Sequence, residues 1–140
     1  MIRSSRHGER GSISVEVAVI APAMVFLMLL VVFAGKVSEA DATVERAASN
    51  AARAASLRQY PGDAERDARD TAVANLAASG VSCLRLTTDV DLSAFRAGGT
   101  VAVTVRCEAS MADVALLGVP GRQTFTATAV EVIDRYRSEP

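Results

Sequence analysis

The apolar run near the N-terminus dominates the hydrophobic pattern of this chain. Between Val17 and Gly35, nineteen consecutive residues carry no charge. A helix of that length rises about 28 Å, close to the thickness of a bilayer core. A buried helix of a soluble domain would give the same pattern, but a chain of 140 residues has little protein to surround it. A cleaved secretory signal ending before Asp41 is a second alternative, although the run is long for one. The pattern favours a membrane helix.

Charges on the two sides of this run predict its orientation. Arg3, Arg6 and Arg10 precede it, whereas Lys36 is followed by several acidic residues. Positively charged flanks stay on the cytoplasmic side of a membrane. We therefore expect a single-pass protein of the cell membrane, with a cytoplasmic N-terminus and with residues 36–140 outside the cytoplasm.

Beyond the apolar run the pattern first indicates two helices. Residues 37–58 contain no Gly or Pro, and apolar residues recur at helical spacing at positions 37, 40, 44, 47, 51 and 54. This stripe packs either on the protein's own sheet or, in part, on neighbouring subunits. Tyr60-Pro61-Gly62 is expected to end the helix. Asp63 is then a candidate N-cap of a second helix, and Gly80 is its candidate C′ residue. Between them a second apolar stripe recurs at helical spacing: Ala64, Ala68, Ala72 and Leu76.

After Gly80 the apolar period changes from that of a helix to that of a strand. Apolar residues alternate with polar ones over 84–92, 101–106 and 123–133, and Gly98-Gly99 lies between the first two segments. Residues 110–121 interrupt this pattern as an apolar loop. The sequence predicts an α+β fold with a long N-terminal helix, a second helix and a small antiparallel sheet, whose strand order it does not reveal.

Composition and charge narrow the range of functions. A net charge of −1 gives no basic field for nucleic acid. The single histidine is His7, and the chain has no CxxC pair and no glycine-rich phosphate loop. The acids Asp89 and Asp91 are expected to face solvent beside Thr87. We therefore expect no enzyme activity, no metal or other cofactor and no small-molecule substrate.

The two cysteines, Cys83 and Cys107, lie 24 positions apart in the segment expected outside the cytoplasm. That compartment permits a disulfide. However, Cys107 shares the apolar face of its strand, whereas Cys83 has the parity of the polar residues of its own strand. Either Cys83 precedes its strand in the loop after Gly80, which we prefer, or a bulge intervenes. Two separate buried thiols are the remaining alternative.

The stretch around the start of the apolar run resembles a known class of bacterial proteins. Gly11, four small or apolar residues, Glu16 and the apolar run resemble prepilins that are cut by a prepilin peptidase. The wider stretch "RGSISVEVAVIAPAMVFLMLLVVFAG" looks like the TadE family of pilin-like proteins of tight-adherence pilus systems, with Val17 where that family often has an aromatic residue. The likeness covers roughly residues 8–55, and residues 116–137 resemble the ending of such proteins less specifically.

The resemblance implies a division of the chain and a role for three residues. Residues 1–11 would be a cytoplasmic leader, 12–36 the transmembrane helix and 37–140 an extracytoplasmic pilin-like domain. The peptidase would cut after Gly11, and Glu16 would pair with the new amine of Ser12 on the next subunit during assembly.

The function implied is that of a minor pilin or pseudopilin, a structural component in the assembly of a tight-adherence type IV pilus or a related secretion machine. Its partners would be the membrane, the prepilin peptidase, other pilin-like subunits and the assembly platform. The first alternative is a secreted or signal-anchored extracytoplasmic binding module, and the second is a membrane-tethered enzyme accessory.

Overall fold

The computed structural model describes residues 10–110 and 121–136, with side chains from residue 17 onward, so the apolar loop predicted at 110–121 lies almost entirely outside the described residues. Five elements follow one another along the chain: α1 (Arg10–Ser56), α2 (Pro61–Ala78), β1 (Cys83–Asp91), β2 (Thr100–Ser110) and β3 (Arg122–Val132). The three strands form one antiparallel sheet in the order β1-β2-β3. The predicted α+β fold is confirmed.

The chain divides into two compact units, with the boundary between Val37 and Ser38. Within the second unit, the remaining part of α1 buries a stripe of small side chains. The stripe is wider than predicted, because residues from adjacent helical rows join it: Ala40, Thr43, Val44, Ala47, Ala48, Ala51, Ala52 and Ala55 are buried. Val37 and Ala54, which the pattern placed on the stripe, are only half-buried. The stripe therefore packs within its own unit.

The second helix begins three residues earlier than expected. Tyr60 occupies the N-cap position with extended backbone and no side-chain cap, and Pro61 follows at the first helical position. Proline is favoured there because its missing N–H has no intrahelical partner to lose. The prediction of Asp63 as N-cap was therefore wrong; Asp63 lies in the first turn and pairs with Arg66. The C-terminal prediction was right, since Gly80 follows the Ser79 C-cap with φ +71°.

One face of α2 and one face of the sheet complete the core of the second unit. The helix buries the four residues that its spacing predicted, Ala64, Ala68, Ala72 and Leu76. On the central strand β2, alternate residues from Val101 to Ala109 are buried, and Phe125 and Ile133 are buried on the β3 side. The core is therefore built mainly of Ala and Val.

Polar contacts join the end of α1 to α2. The amide of Asn50 donates to the side-chain oxygen of Asn75 at 2.6 Å. Arg58, just beyond α1, pairs with Asp67 on α2. Such exposed contacts contribute little to stability, so they mark where the two helices meet at the surface of the unit rather than hold them together.

The turn between β1 and β2 is held by a close backbone approach at Gly99. The Gly99 carbonyl accepts a hydrogen bond from the N–H of Ile133 at 2.9 Å, and Thr100 N–H donates to the Ala94 carbonyl at 3.1 Å. A Cβ on Gly99 would overlap the Ala94 carbonyl oxygen and lie 3.0 Å from that of Arg96. Only glycine fits this position without a backbone shift.

Candidate functional site

The apolar part of α1 leaves its side chains outside any protein core. None of its apolar window is buried within the structure, and the helix is long and apolar enough to cross a membrane. Its largest exposed side chains are Val17, Val19, Ile20, Met24, Val25, Phe26, Leu27, Met28, Leu29, Leu30, Val31 and Val32. Each such side chain gains about 1.5–3 kcal/mol when it leaves water. This helix suggests a single-pass membrane protein and argues against the core helix of a soluble domain.

The three residues predicted for processing and assembly lie in the first turns of α1. Gly11, Ser12 and Glu16 belong to the helix, which begins at Arg10, but their side chains lie outside the described residues. Four residues of helix rise about 6 Å and turn slightly more than once. Ser12 and Glu16 are therefore neighbours along one face of the backbone. The remainder of the predicted leader, including His7, lies outside the described part of the chain.

Cys83 and Cys107 form a disulfide, as the sequence led us to expect, with their Cα atoms 5.3 Å apart. Cys107 is fully buried and Cys83 half-buried. The preferred explanation of their parity was wrong: Cys83 is the first residue of β1 and does not precede it. The pairing of β1 with β2 is irregular between Cys83 and Arg85. The bulge, which the sequence analysis kept as the second explanation, is what brings both cysteines to one face.

The outward face of the sheet is polar and rich in threonine. Thr87 and Asp89 on β1 surround a shallow depression with Thr104 and Arg106 on β2. The hydroxyl groups of Thr104 and Thr128 are hydrogen-bonded at 2.8 Å across β2 and β3. This cross-strand bond was not predicted, and only knowledge of the strand order would have shown it.

Asp91 lies on the same outward face and is exposed, as predicted for it and for Asp89. Its carboxylate accepts a hydrogen bond from the Ser93 N–H at 2.9 Å, which lowers the pKa of this carboxyl. Such a bond stabilises the turn that follows β1. Among the residues that the structure describes, no group of three or more His, Cys, Asp or Glu side chains is placed to hold a metal ion.

Comparison with known proteins adds one finding to this geometry. The family model described as TadE-like protein matches residues 11–53, just under a third of the chain. Searches of curated proteins and of solved structures gave no match. The matched segment begins at Gly11, contains the whole apolar run and ends within the buried stripe of α1. The N-terminal segment of this chain, over residues 11–53, is thus TadE-like, and the family suggests a component associated with a tight-adherence pilus.

Proposed function

We propose that this chain is a minor pilin- or pseudopilin-like subunit that takes a structural part in assembling a tight-adherence pilus or a related secretion machine. The observation that carries the proposal is the TadE-like match, which begins at Gly11 and runs along an apolar helix with exposed side chains. The role is structural rather than enzymatic. The membrane, the other pilin-like subunits and the assembly platform are its partners.

In this proposal the N-terminus is cytoplasmic and the second unit lies outside the cytoplasm. The arginines that precede α1 or lie at its start support this orientation through the positive-inside rule. The disulfide in the second unit also supports it, because disulfides persist in oxidising compartments. A reporter that is active only after export, fused after Pro140, is expected to be active. An inactive export reporter together with an active cytoplasmic reporter at the same point would overturn the orientation.

Processing by a prepilin peptidase would place a new charge at the start of the helix. Cutting after Gly11 leaves Ser12 as the first residue, and its ammonium group then lies at a helix N-terminus. A positive charge there is unfavourable, because the helix dipole is positive at that end. The carboxylate of Glu16, one turn further along, compensates the charge within a chain. Between chains it pairs with the Ser12 amine of the next subunit and sets their stagger.

The mature N-terminus is the most direct test of processing. Mass spectrometry of the protein purified from its native membrane is expected to find Ser12 as the first residue. Gly11→Val should abolish cutting, since a β-branched side chain replaces the residue at the bond that is cut. Gly35→Ala is the matched control, because Gly35 has open space around it and lies outside the proposed cleavage motif. A mature chain beginning at Met1 or Asp41 would instead support the signal-anchored or secreted binding module.

The assembly role of Glu16 needs a separate test. Glu16→Gln and Glu16→Ala should still insert and be cut after Gly11, but they should fail to join the pilus or its platform. Removal of one partner leaves the other charge unpaired in a poorly solvated place. Glu45→Gln, at an exposed acid of the same helix, is the matched control and should co-purify normally. Normal piliation and normal co-purification of Glu16→Ala would refute this role.

A further inference from the structure

The first residues of β1 depart from regular strand pairing. Cys83 stands opposite Ala109, and Arg85 stands opposite Glu108, the neighbouring residue of β2. Leu84 therefore lies between two paired residues without a pairing partner of its own, which is a β-bulge. Its side chain is 60% exposed, whereas Leu86, two residues later, is half-buried. The bulge thus turns a leucine out of the core.

The disulfide depends on this bulge. Residues directly opposite in an antiparallel pair share one face of the sheet, and successive residues alternate. Without the bulge, Leu84 would stand opposite Ala109, and Cys83 would move opposite Ser110. Ser110 is exposed on the outward face, whereas Cys107 is buried on the inward one. Cysteines on opposite faces of a sheet cannot be bonded without backbone movement.

Regular pairing of β1 without the bulge would bury an additional leucine side chain. In it, Leu84 would lie on the inward face opposite the nearly buried Ala109, beside the buried Cys107. Burial of a leucine side chain is favourable, since it removes apolar area from water. Cys83, at the start of β1, would move along β2 by one residue, which is about 3.4 Å in a strand. The link of residues 79–82 can take up this shift, because it contains Gly80 in the left-handed region at φ +71°.

We propose that the Cys83–Cys107 disulfide is a register switch for the start of β1. When it is oxidised, the bulge forms and Leu84 is exposed. When it is reduced, β1 returns to regular pairing, Leu84 packs on the inward face and the Cys83 thiol faces outward. The reductant is a dithiol: it gives two electrons and two protons to the protein, whose two sulfurs become thiols, while its own sulfurs form a disulfide. Oxidation thus determines whether Leu84 is exposed on the surface of this unit.

The direct test follows Leu84 in the full-length chain in detergent micelles. With methyl-labelled Leu and Ala, reduction by dithiothreitol is expected to create a nuclear Overhauser contact between Leu84 and Ala109 that the oxidised protein lacks. The β1 amide protons that are protected from exchange in the oxidised protein should remain protected after reduction, which shows that β1 stays paired. Absence of the new contact, or loss of that protection on reduction, would overturn the proposal.

Alkylation of the reduced protein under native conditions gives an independent measurement. Cys83 is expected to react at least tenfold faster than Cys107. Leu84→Asp should slow the reaction of Cys83 about fivefold or more, because a carboxylate resists burial on the inward face and holds the bulge. Leu84→Met is the matched control and should behave as the unchanged protein does. Equal Cys83 rates in the Asp and Met variants would contradict the switch.

Discussion

Replacement of Gly99 by alanine tests whether the close approach in the turn between β1 and β2 holds the sheet together. Gly99 is buried, and its φ lies outside the left-handed region, so alanine can adopt the backbone angles. The added methyl group is the only problem, since it would overlap the Ala94 carbonyl oxygen. The backbone has to move, and the hydrogen bonds of Thr100 to Ala94 and of Ile133 to Gly99 are weakened by that movement.

The size of the effect follows from three contributions. Overpacking costs about 1–3 kcal/mol, and each of the two hydrogen bonds contributes about 0.5–1.5 kcal/mol. Replacement of glycine also lowers the conformational entropy of the unfolded chain, which stabilises the folded protein by about 0.4–1 kcal/mol. We therefore expect Gly99→Ala to lower the free energy of unfolding by about 1–5.5 kcal/mol.

Urea unfolding of the full-length chain in detergent micelles, followed by circular dichroism, measures this loss. Gly62→Ala is the matched control, because no atom lies within 4 Å of the position its Cβ would take. It shares the unfolded-state gain, and as a helical position it should be neutral or slightly stabilising. If the two variants unfold within about 0.5 kcal/mol of each other, the close approach at Gly99 is not what stabilises the turn.

Three further predictions concern the second unit. Replacing both Cys83 and Cys107 by alanine should lower the free energy of unfolding by about 3.5 kcal/mol in the chain-entropy model, and the lost packing of the buried Cys107 sulfur adds to that loss; an unchanged free energy in urea unfolding would contradict that model here. Ile133→Ala should cost about 2–5 kcal/mol because the side chain is fully buried, whereas the exposed Val132→Ala should stay within about 0.5 kcal/mol; equal losses would contradict the assigned faces. In a carbon-detected NMR titration, the pKa of the Asp91 carboxyl should lie below that of an ordinary aspartate. Its contribution to the stability of the fold is therefore present at neutral pH and is lost as the pH falls through the lowered pKa; an ordinary pKa would contradict the hydrogen bond.

Much of this fold could be predicted from periodicity alone. The stripe from Ala64 to Leu76 and the alternation along β2 were both correct, because each element buries one face and the sequence repeats at the period of that element. The start of α2 was misplaced because Pro61 ends one helix and begins another equally well. The strand order and the contact of Asn50 with Asn75 could not be predicted, since they depend on residues distant in sequence.

The sequence predicted some parts of the candidate site correctly and others not. The TadE-like segment was recognised from the spacing of Gly11 and Glu16 beside an apolar run, and the family match covers nearly the same residues. The disulfide partners were also identified, and the conflict in their parity was itself the signal of the bulge. The wrong explanation was preferred because sequence alone does not show where β1 begins. Cleavage after Gly11 and the pairing of Glu16 stay predictions.

The helix α1 carries two kinds of apolar surface that a hydropathy plot does not separate. Before the boundary at Val37 twelve of its exposed side chains are large apolar groups, whereas after it six of the eight residues of the buried stripe are alanine. Lipid tails adapt to any side-chain shape, so in lipid a large apolar surface area is favourable. A neighbouring strand or helix has a fixed shape, so small side chains that allow close packing are favourable there. The volume of successive apolar side chains, rather than their polarity, therefore marks where such a helix changes its surroundings from lipid to protein.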